Sequence, residues 1–246
     1  VIEGQDLQRF AKGTSDAKEF TVSFYVKGNA AATYVCELYD SDNARQVSKS
    51  FSVTTSWTRV VLTFPADTTG AFTDDNGISL YLSIWLHSGS NFTSGTLNST
   101  SWAANTNANR AAGISSFFDS TNRTFFLTGL QMEVGPQSTP FEHEPVGVTL
   151  SKCQRYFEKM TVATGHLGGV TGSGIASFGY DFSTKNWTQA FNTTKRAVPT
   201  VTKTISATNS GGSAATIAGG VNGVKLSSSN TGQYEYISAI TADAEI

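Results

Sequence analysis

The fold is decided by a stretch near the N-terminus in which apolar and polar side chains alternate: Phe20-Thr21-Val22-Ser23-Phe24-Tyr25-Val26. Its four large apolar residues fall on one face of an extended chain, because successive side chains of a β-strand point to opposite sides. The turn residues Gly28 and Asn29 follow almost directly. The stretch therefore predicts an antiparallel strand with one buried face.

The same alternation recurs at short intervals through the first half of the chain. Further strands are predicted, with polar turns between them, at residues 33–39, 51–53, 58–64, 79–86 and 123–134. Short strands at this spacing are typical of an antiparallel sandwich or jelly roll. We predict an all-β chain whose first domain is a jelly-roll β-sandwich over residues 1–135.

The second half of the chain predicts a smaller β-sandwich over residues 153–246. Its strands are predicted at 178–182, 187–191, 200–205 and 234–240, with loops at 165–174 and 209–220. Few large apolar residues stand among many Gly, Ser and Thr residues, so one copy of this half buries little apolar surface. A homotrimer would share the core among copies, and we predict that this half is a trimerising or tip domain.

A connector with three prolines is predicted between the two sandwiches, over residues 136–152. Proline favours an extended and stiff chain. The following residues predict one or two helical turns, capped by Thr149 or Ser151, that run into a strand. We expect five residues to join the two domains, the last three of them beginning the core of the second domain: Phe141, His143, Cys153, Tyr156 and Phe157.

The composition is poor in charge, which argues against several classes of function. Charged residues make up 15% of the chain, against about 25% in an average soluble domain. Ser, Thr, Asn and Gly must cover the surface instead, as is common in extracellular adhesins and virion fibres. The net charge is −2 and no basic run occurs, so nucleic-acid binding is not expected. No apolar run is long enough to cross a bilayer, and no signal peptide is visible. The chain begins at Val1 and not at an initiator Met, so we expect a truncated or processed N-terminus.

Neither the cysteines nor the histidines form a recognisable reactive site. Cys36 and Cys153 lie in apolar contexts, where a free Cys behaves as a small hydrophobe, although a disulfide between them stays open. His87, His143 and His166 are far apart in sequence. No zinc-protease, hydrolase or phosphate-loop motif occurs. We therefore predict a protein that is not an enzyme.

Several motifs together resemble the C-terminal part of bacteriophage tail-fibre and related virion proteins, especially those of marine phages. The most specific is an ordered trio: Gly129-Leu130-Gln131-Met132-Glu133-Val134-Gly135, then Thr139-Pro140-Phe141-Glu142-His143, then Cys153-Gln154-Arg155-Tyr156-Phe157. Residues 2–7, 21–27, 89–95 and 107–111 agree with it. The resemblance implies a carbohydrate-binding-module-like jelly roll followed by a compact β domain on the virion surface. It also implies that the partners are other virion proteins and bacterial surface polysaccharide.

A long polar passage from Ser88 to Asn122 carries the candidate glycan site, because loops of this length are often functional. Aromatic rings in such a loop could stack on the apolar face of a sugar. Trp102 could instead anchor the loop on the sandwich, and Trp85, inside a regular strand, is expected to be core. We predict that glycan contacts come from Asn91, Phe92, Trp102, Asn109 and Arg110.

The resemblance to carbohydrate-binding jelly rolls also implies a structural Ca²⁺ near the first and last strands. Hard oxygen ligands could come there from Glu3, Gln5 and Glu133. Acidic turns, such as those holding Asp40 and Asp75, are ordinarily solvated hairpins. No other cofactor is predicted. Three functions stay open: a receptor-binding tail fibre, a purely structural virion protein such as a capsid fibre or decoration protein, and a glycan-degrading depolymerase.

Overall fold

The computed structural model describes residues 1–161, 185–208, 216–228 and 235–245 and shows a mostly β chain. Its α-helices are α1 (Ser90–Thr93) and α2 (Val146–Gln154). Its strands are β1 (Ile2–Glu3), β2 (Phe20–Gly28), β3 (Ala32–Asp40), β4 (Arg45–Val53), β5 (Thr58–Phe64), β6 (Ile78–Trp85), β7 (Ala103–Ala104), β8 (Phe125–Val134), β9 (Phe157–Thr161), β10 (Lys185–Ala190), β11 (Thr200–Thr208), β12 (Thr216–Gly220), β13 (Gly223–Ser228) and β14 (Glu235–Asp243). The predicted all-β class is confirmed, with antiparallel pairing in every sheet.

The chain divides into two compact units, Val1–His143 and Glu144–Glu245. The division falls inside the predicted connector, so residues 136–143 belong to the first unit and α2 opens the second. The predicted helical turns that run into a strand are confirmed, because α2 is followed directly by β9. The helix begins after Pro145, earlier than the predicted caps. Proline suits this position since its missing N–H would have no partner in the first turn of a helix.

Two antiparallel sheets enclose the core of the first unit, one ordered β1-β6-β3-β4-β7 and the other β5-β2-β8. In β3 the side chains of Tyr34, Cys36 and Leu38 belong to the buried core. The alternation of the strand therefore places Glu37 and Tyr39 on the opposite, outer face of the five-stranded sheet. This outer face carries the candidate functional site.

Strand β6 shows why one prediction from the sequence is wrong. Its residues Leu80, Leu82 and Ile84 pack on the core, so the alternation turns Tyr81 and Trp85 to the outer face. Trp85 is half-buried there and is not part of the core cluster. The expectation that Trp85 is core fails because its neighbours already occupy the inner side of the strand.

The first part of the predicted connector lies along the outer face of the three-stranded sheet. The Thr21 hydroxyl donates to the carbonyl of Gly135 at 2.5 Å, and the Thr63 hydroxyl donates to that of Pro136 at 3.2 Å. Further on, the backbone N–H of Glu142 donates to the side chain of Gln131 at 2.8 Å. Phe141 packs beside Gly129 in the first unit.

The second unit holds two three-stranded sheets, β10-β13-β12 and β11-β14-β9. The predicted strands at 187–191, 200–205 and 234–240 are confirmed as β10, β11 and β14. The loop predicted at 209–220 is wrong for residues 216–220, which form β12. The predicted strand at 178–182 and the predicted loop at 165–174 lie outside the described residues. Within the described part, the core of this unit consists of Met160, Phe191, Val224, Leu226, Ile240 and Ala242.

The residues expected to begin this second core do not lie in it. Cys153 and Phe157 are exposed and Tyr156 is half-buried. In β9 the alternation turns Glu158 and Met160 inward, so Phe157 faces outward. Both cysteines are free, with Cys36 buried in the first core.

Candidate functional site

The candidate site lies on the outer face of the five-stranded sheet, where the passage after β6 folds back over the strands. Two backbone hydrogen bonds fold this passage on itself: Gly95 N–H to Ala108 carbonyl at 2.9 Å, and Ala111 N–H to Phe92 carbonyl at 2.9 Å. They bring α1 against the single helical turn at Asn107–Asn109. As a result Phe92 and Arg110, which lie far apart in sequence, come together over β3 and β6.

The centre of the site is an ion pair between Arg110 and Glu37. The guanidinium donates from Nε to Oε1 at 2.7 Å and from Nη2 to Oε2 at 2.9 Å. Trp85 adds a third hydrogen bond, from Nε1 to Oε2 at 2.8 Å. Glu37 is fully buried while Arg110 keeps some exposure. A bidentate ion pair of this kind fixes both the position and the orientation of the guanidinium.

Aromatic rings surround this guanidinium. Its central carbon lies 5.0 Å from the ring centroid of Tyr39, 5.2 Å from that of Trp85 and 6.0 Å from that of Phe92. The rings of Trp85 and Phe92 are 5.3 Å apart, and Tyr81 lies 5.9 Å from Tyr39. All four rings are half-buried. We call the set of Glu37, Tyr39, Tyr81, Trp85, Phe92 and Arg110 the Arg110 platform.

Beside the platform, β4 contributes polar side chains to the same face. Gln46 stands opposite Tyr39 and Ser48 stands opposite Glu37 in the β3–β4 register. Both are fully buried, and neither Gln46 Oε1 nor Ser48 Oγ has a hydrogen-bond partner within the described residues. Buried polar atoms are ordinarily satisfied, so these two positions are exceptions beneath the folded-back passage.

Of the predicted glycan contacts, Phe92 and Arg110 belong to the platform. Asn91 is exposed on α1. Asn109 has a structural role, since its side-chain oxygen accepts the N–H of Thr96 at 3.0 Å. Glu37, Tyr39 and Tyr81 were not predicted as site residues, although the alternation of β3 and β6 already places them away from the core.

The prediction that Trp102 binds a glycan is wrong, because Trp102 is only 6% exposed. Its indole N–H donates to the carbonyl of Pro65 at 2.8 Å, and its ring lies 5.8 Å from that of Phe20. Trp102 therefore fills the core and anchors the long passage on the sandwich, which was the alternative role. Flanking polar residues do not reveal the direction in which one aromatic side chain points.

The predicted Ca²⁺ ligands are engaged in other interactions. Glu3 is buried in β1 and accepts a hydrogen bond from Gln5 at 2.6 Å. Glu133 belongs to β8 in the other sheet, where it accepts from the N–H and the hydroxyl of Thr139. Burial opposes ionisation of Glu133, but the hydrogen bonds from Thr139 and Gln131 outweigh it and hold its pKa below the ordinary value. In the part of the chain that the structure describes, no group of three or more His, Cys, Asp or Glu residues is arranged to hold a metal.

The described histidines belong to separate local contacts. His87 Nδ1 lies 2.9 Å from the hydroxyl of Ser116, and His143 packs edge-on against Phe141. His166 lies outside the described residues. No helix among the described residues is long and apolar enough to cross a membrane.

Comparisons with protein-family models, with curated proteins and with solved structures found no match.

Proposed function

We propose that this chain is a non-enzymatic bacteriophage virion protein, of the tail-fibre or receptor-binding type, that contacts bacterial surface glycans through the Arg110 platform. The low-charge composition and the ordered trio of motifs support the virion assignment. The observation that carries the binding role is a guanidinium held by Glu37 among half-exposed aromatic rings. Aromatic faces and a fixed hydrogen-bond donor are what a sugar ring requires from a binding surface.

The charge balance of the platform favours a neutral sugar over an acidic one. Both oxygens of Glu37 already accept hydrogen bonds from Arg110, which neutralises the guanidinium. Arg110 Nη1 has no hydrogen-bond partner among the described residues, so it can donate to a sugar hydroxyl. We propose neutral polysaccharide of a bacterial surface as the ligand class.

The test is binding of the purified chain to whole host cells and to an array of neutral and acidic bacterial glycans. Phe92→Ala and Tyr81→Ala remove two rings of the platform without unpairing a buried charge, and each is expected to weaken binding at least tenfold. Trp57→Ala is the matched control, because Trp57 is 51% exposed and flanks β5 of the other sheet. An equal loss in the control would overturn the assignment of the site.

Two other outcomes point to the alternative functions. A chain that assembles into particles but binds neither cells nor glycans is a purely structural virion protein. Release of new reducing ends from host polysaccharide would identify a depolymerase. Labelling of intact particles with an antibody against the chain tests the proposed location on the virion surface, and distinguishes tail from capsid.

A further inference from the structure

A buried lysine lies against two carboxylates inside the first unit, away from the Arg110 platform. Lys12 Nζ is 2.5 Å from Oδ2 of Asp40, and both side chains are completely excluded from solvent. The same nitrogen is 3.1 Å from Oδ2 of Asp67, whose side chain is also buried. Lys12 follows the helical turn Gln8–Phe10, whereas Asp40 ends β3. The contact thus joins the N-terminal segment to the end of β3.

The buried Lys12 ammonium lies among aromatic rings and backbone carbonyls. The ring centroids of Phe72 and Trp102 each lie 5.2 Å from Nζ. The backbone carbonyls of Thr69, at 3.0 Å, and Gly70, at 2.7 Å, accept its other hydrogen bonds. Ionised groups buried in such a place lose their hydration. The free-energy cost of this desolvation can exceed the stabilisation that comes from their mutual electrostatic attraction.

We propose that Lys12 and Asp40 condense to an intramolecular amide, an isopeptide bond, and that Asp67 serves as the base for this step. Nothing outside the chain is required, because the only other product is one molecule of water. The proposal is independent of the glycan-binding function.

The condensation conserves both atoms and charge. The ammonium of Lys12 passes one proton to Asp40 along their hydrogen bond, which leaves a neutral amine beside a neutral carboxylic acid. The amine nitrogen then forms a bond to Cγ of Asp40. The carboxylate of Asp67 takes a second proton from that nitrogen and delivers it to the departing hydroxyl, so the C–O bond breaks and water leaves. An ion pair of zero net charge becomes a neutral amide, whose remaining N–H can donate to the carbonyl of Gly70.

Two physical effects favour the condensation at this position. Groups held in contact by a fold react as if at an effective concentration of up to about 10⁵–10⁸ M. The product also replaces two buried charges with one neutral amide, which removes the cost of keeping them unhydrated.

Asp67 is suited to the role of base by its own contacts. Burial opposes its ionisation, but hydrogen bonds from Arg45, Thr69 and Lys12 outweigh burial and hold its pKa below the ordinary value. It therefore stays ionised and within hydrogen-bond reach of the nitrogen whose proton it must take.

The second unit supplies an internal control. Lys195 and Glu158 form another buried pair, with Nζ and Oε2 at 2.6 Å. Within the described residues no second carboxylate lies within 4.0 Å of Lys195 Nζ, and the nearby polar contacts are neutral. Without a base at the nitrogen, this pair is expected to remain an ion pair. The chain should therefore lose one water and not two.

The test is the intact mass of the full chain under denaturing conditions, followed by proteolytic mapping. The expected mass is that of the sequence less one water, and the map should contain a branched peptide that joins Lys12 to Asp40. The Lys12→Arg and Asp67→Asn chains should each have the mass calculated from their own sequence, without loss of water. Asp67→Asn should lose no water even though it still contains both Lys12 and Asp40.

Three results would overturn the proposal. One is a wild-type chain that keeps its full mass after prolonged incubation. Another is a loss of water that maps to a different position, such as a cyclised aspartate in an exposed turn. The third is an Asp67→Asn chain that still forms the branched peptide. The wild-type measurement decides the first two even where a variant fails to fold.

Discussion

At the scale of single residues, this chain places part of its few charges inside the protein and pairs each with a specific partner. Glu37 with Arg110 and Glu158 with Lys195 are buried pairs in the first and second units. Removing one partner of such a pair is far more destabilising than the pair is stabilising, because the remaining charge is left without compensation. Substitution of either partner in these pairs is therefore expected to destabilise the chain.

Arg110→Ala should lower the free energy of unfolding by about 3–5 kcal/mol, because it leaves Glu37 buried and unpaired. Urea unfolding followed by fluorescence measures this change. Lys152→Ala is the control, since Lys152 pairs with Glu144 at the surface, and such surface pairs contribute about 0–1 kcal/mol. Equal losses for the two variants would show that Glu37 finds another partner or reaches solvent.

The stability of the first unit should fall in acid partly through Asp67. Its pKa in the folded chain is lowered, so the stabilisation is present above the unfolded pKa of about 3.9 and is lost as the pH falls through the lower folded value. In a Lys12→Arg background, where no amide cross-link can form, Asp67→Asn should be less stable at neutral pH and lose less stability between about pH 5 and pH 2. Urea midpoints across this range test it, with the exposed Asp16→Asn as control. If the urea midpoint of the Asp67→Asn chain fell with decreasing pH as steeply as that of the chain with Asp67, Asp67 would not contribute to the loss of stability in acid.

At the scale of elements, the strands with strong alternation could be predicted from the sequence and the passage between β6 and β8 could not. Strands β2, β3, β5, β6 and β8 lie where the period of two places them, since burial of one face dictates it. Only the last residues of β4, 51–53, were predicted, and the short strands β1 and β7 were not. Hairpin β12–β13 was missed in part because Ala218, Gly219 and Gly220 carry almost no apolar signal. The platform needed Arg110 to reach Glu37 across 73 positions, and no local pattern specifies a contact at that separation.

Trp102 is the residue that holds this passage on the sandwich. Trp102→Ala should destabilise the first unit by about 3–5 kcal/mol, as expected when a large buried aromatic side chain is removed from a core. It should also expose residues 88–122 to limited proteolysis, because the hydrogen bond to Pro65 is lost. Phe118→Ala in the same passage is the control, with a side chain that is 75% exposed. Cleavage at the same rate in both variants would contradict an anchoring role.

At the scale of the whole molecule, the two units differ in how they are stabilised. The core of the first is built from many large side chains, including Phe20, Phe24 and Phe64, all fully buried. The second draws on a sequence rich in Gly, Ser and Thr, and its α2 contains no buried residue. Several of its apolar side chains are exposed in the single chain: Val146, Val148, Leu150, Phe157 and Val198. Exposed apolar groups occur on the first unit as well, for example Trp57 and Phe126, so the homotrimer stays a prediction.

If the second unit is completed by neighbouring copies, its stability must depend on protein concentration whereas that of the first need not. We expect the full chain to sediment with three times the monomer mass. Thermal unfolding should show two transitions, of which only one moves to higher temperature as the concentration rises. Ile240→Ala, at a fully buried position of the second core, should lower that transition, and Leu38→Ala in the first core should lower the other. A monomer whose two transitions are both independent of concentration would rule out the trimer, and the second unit would then be stable with the small core of a single chain.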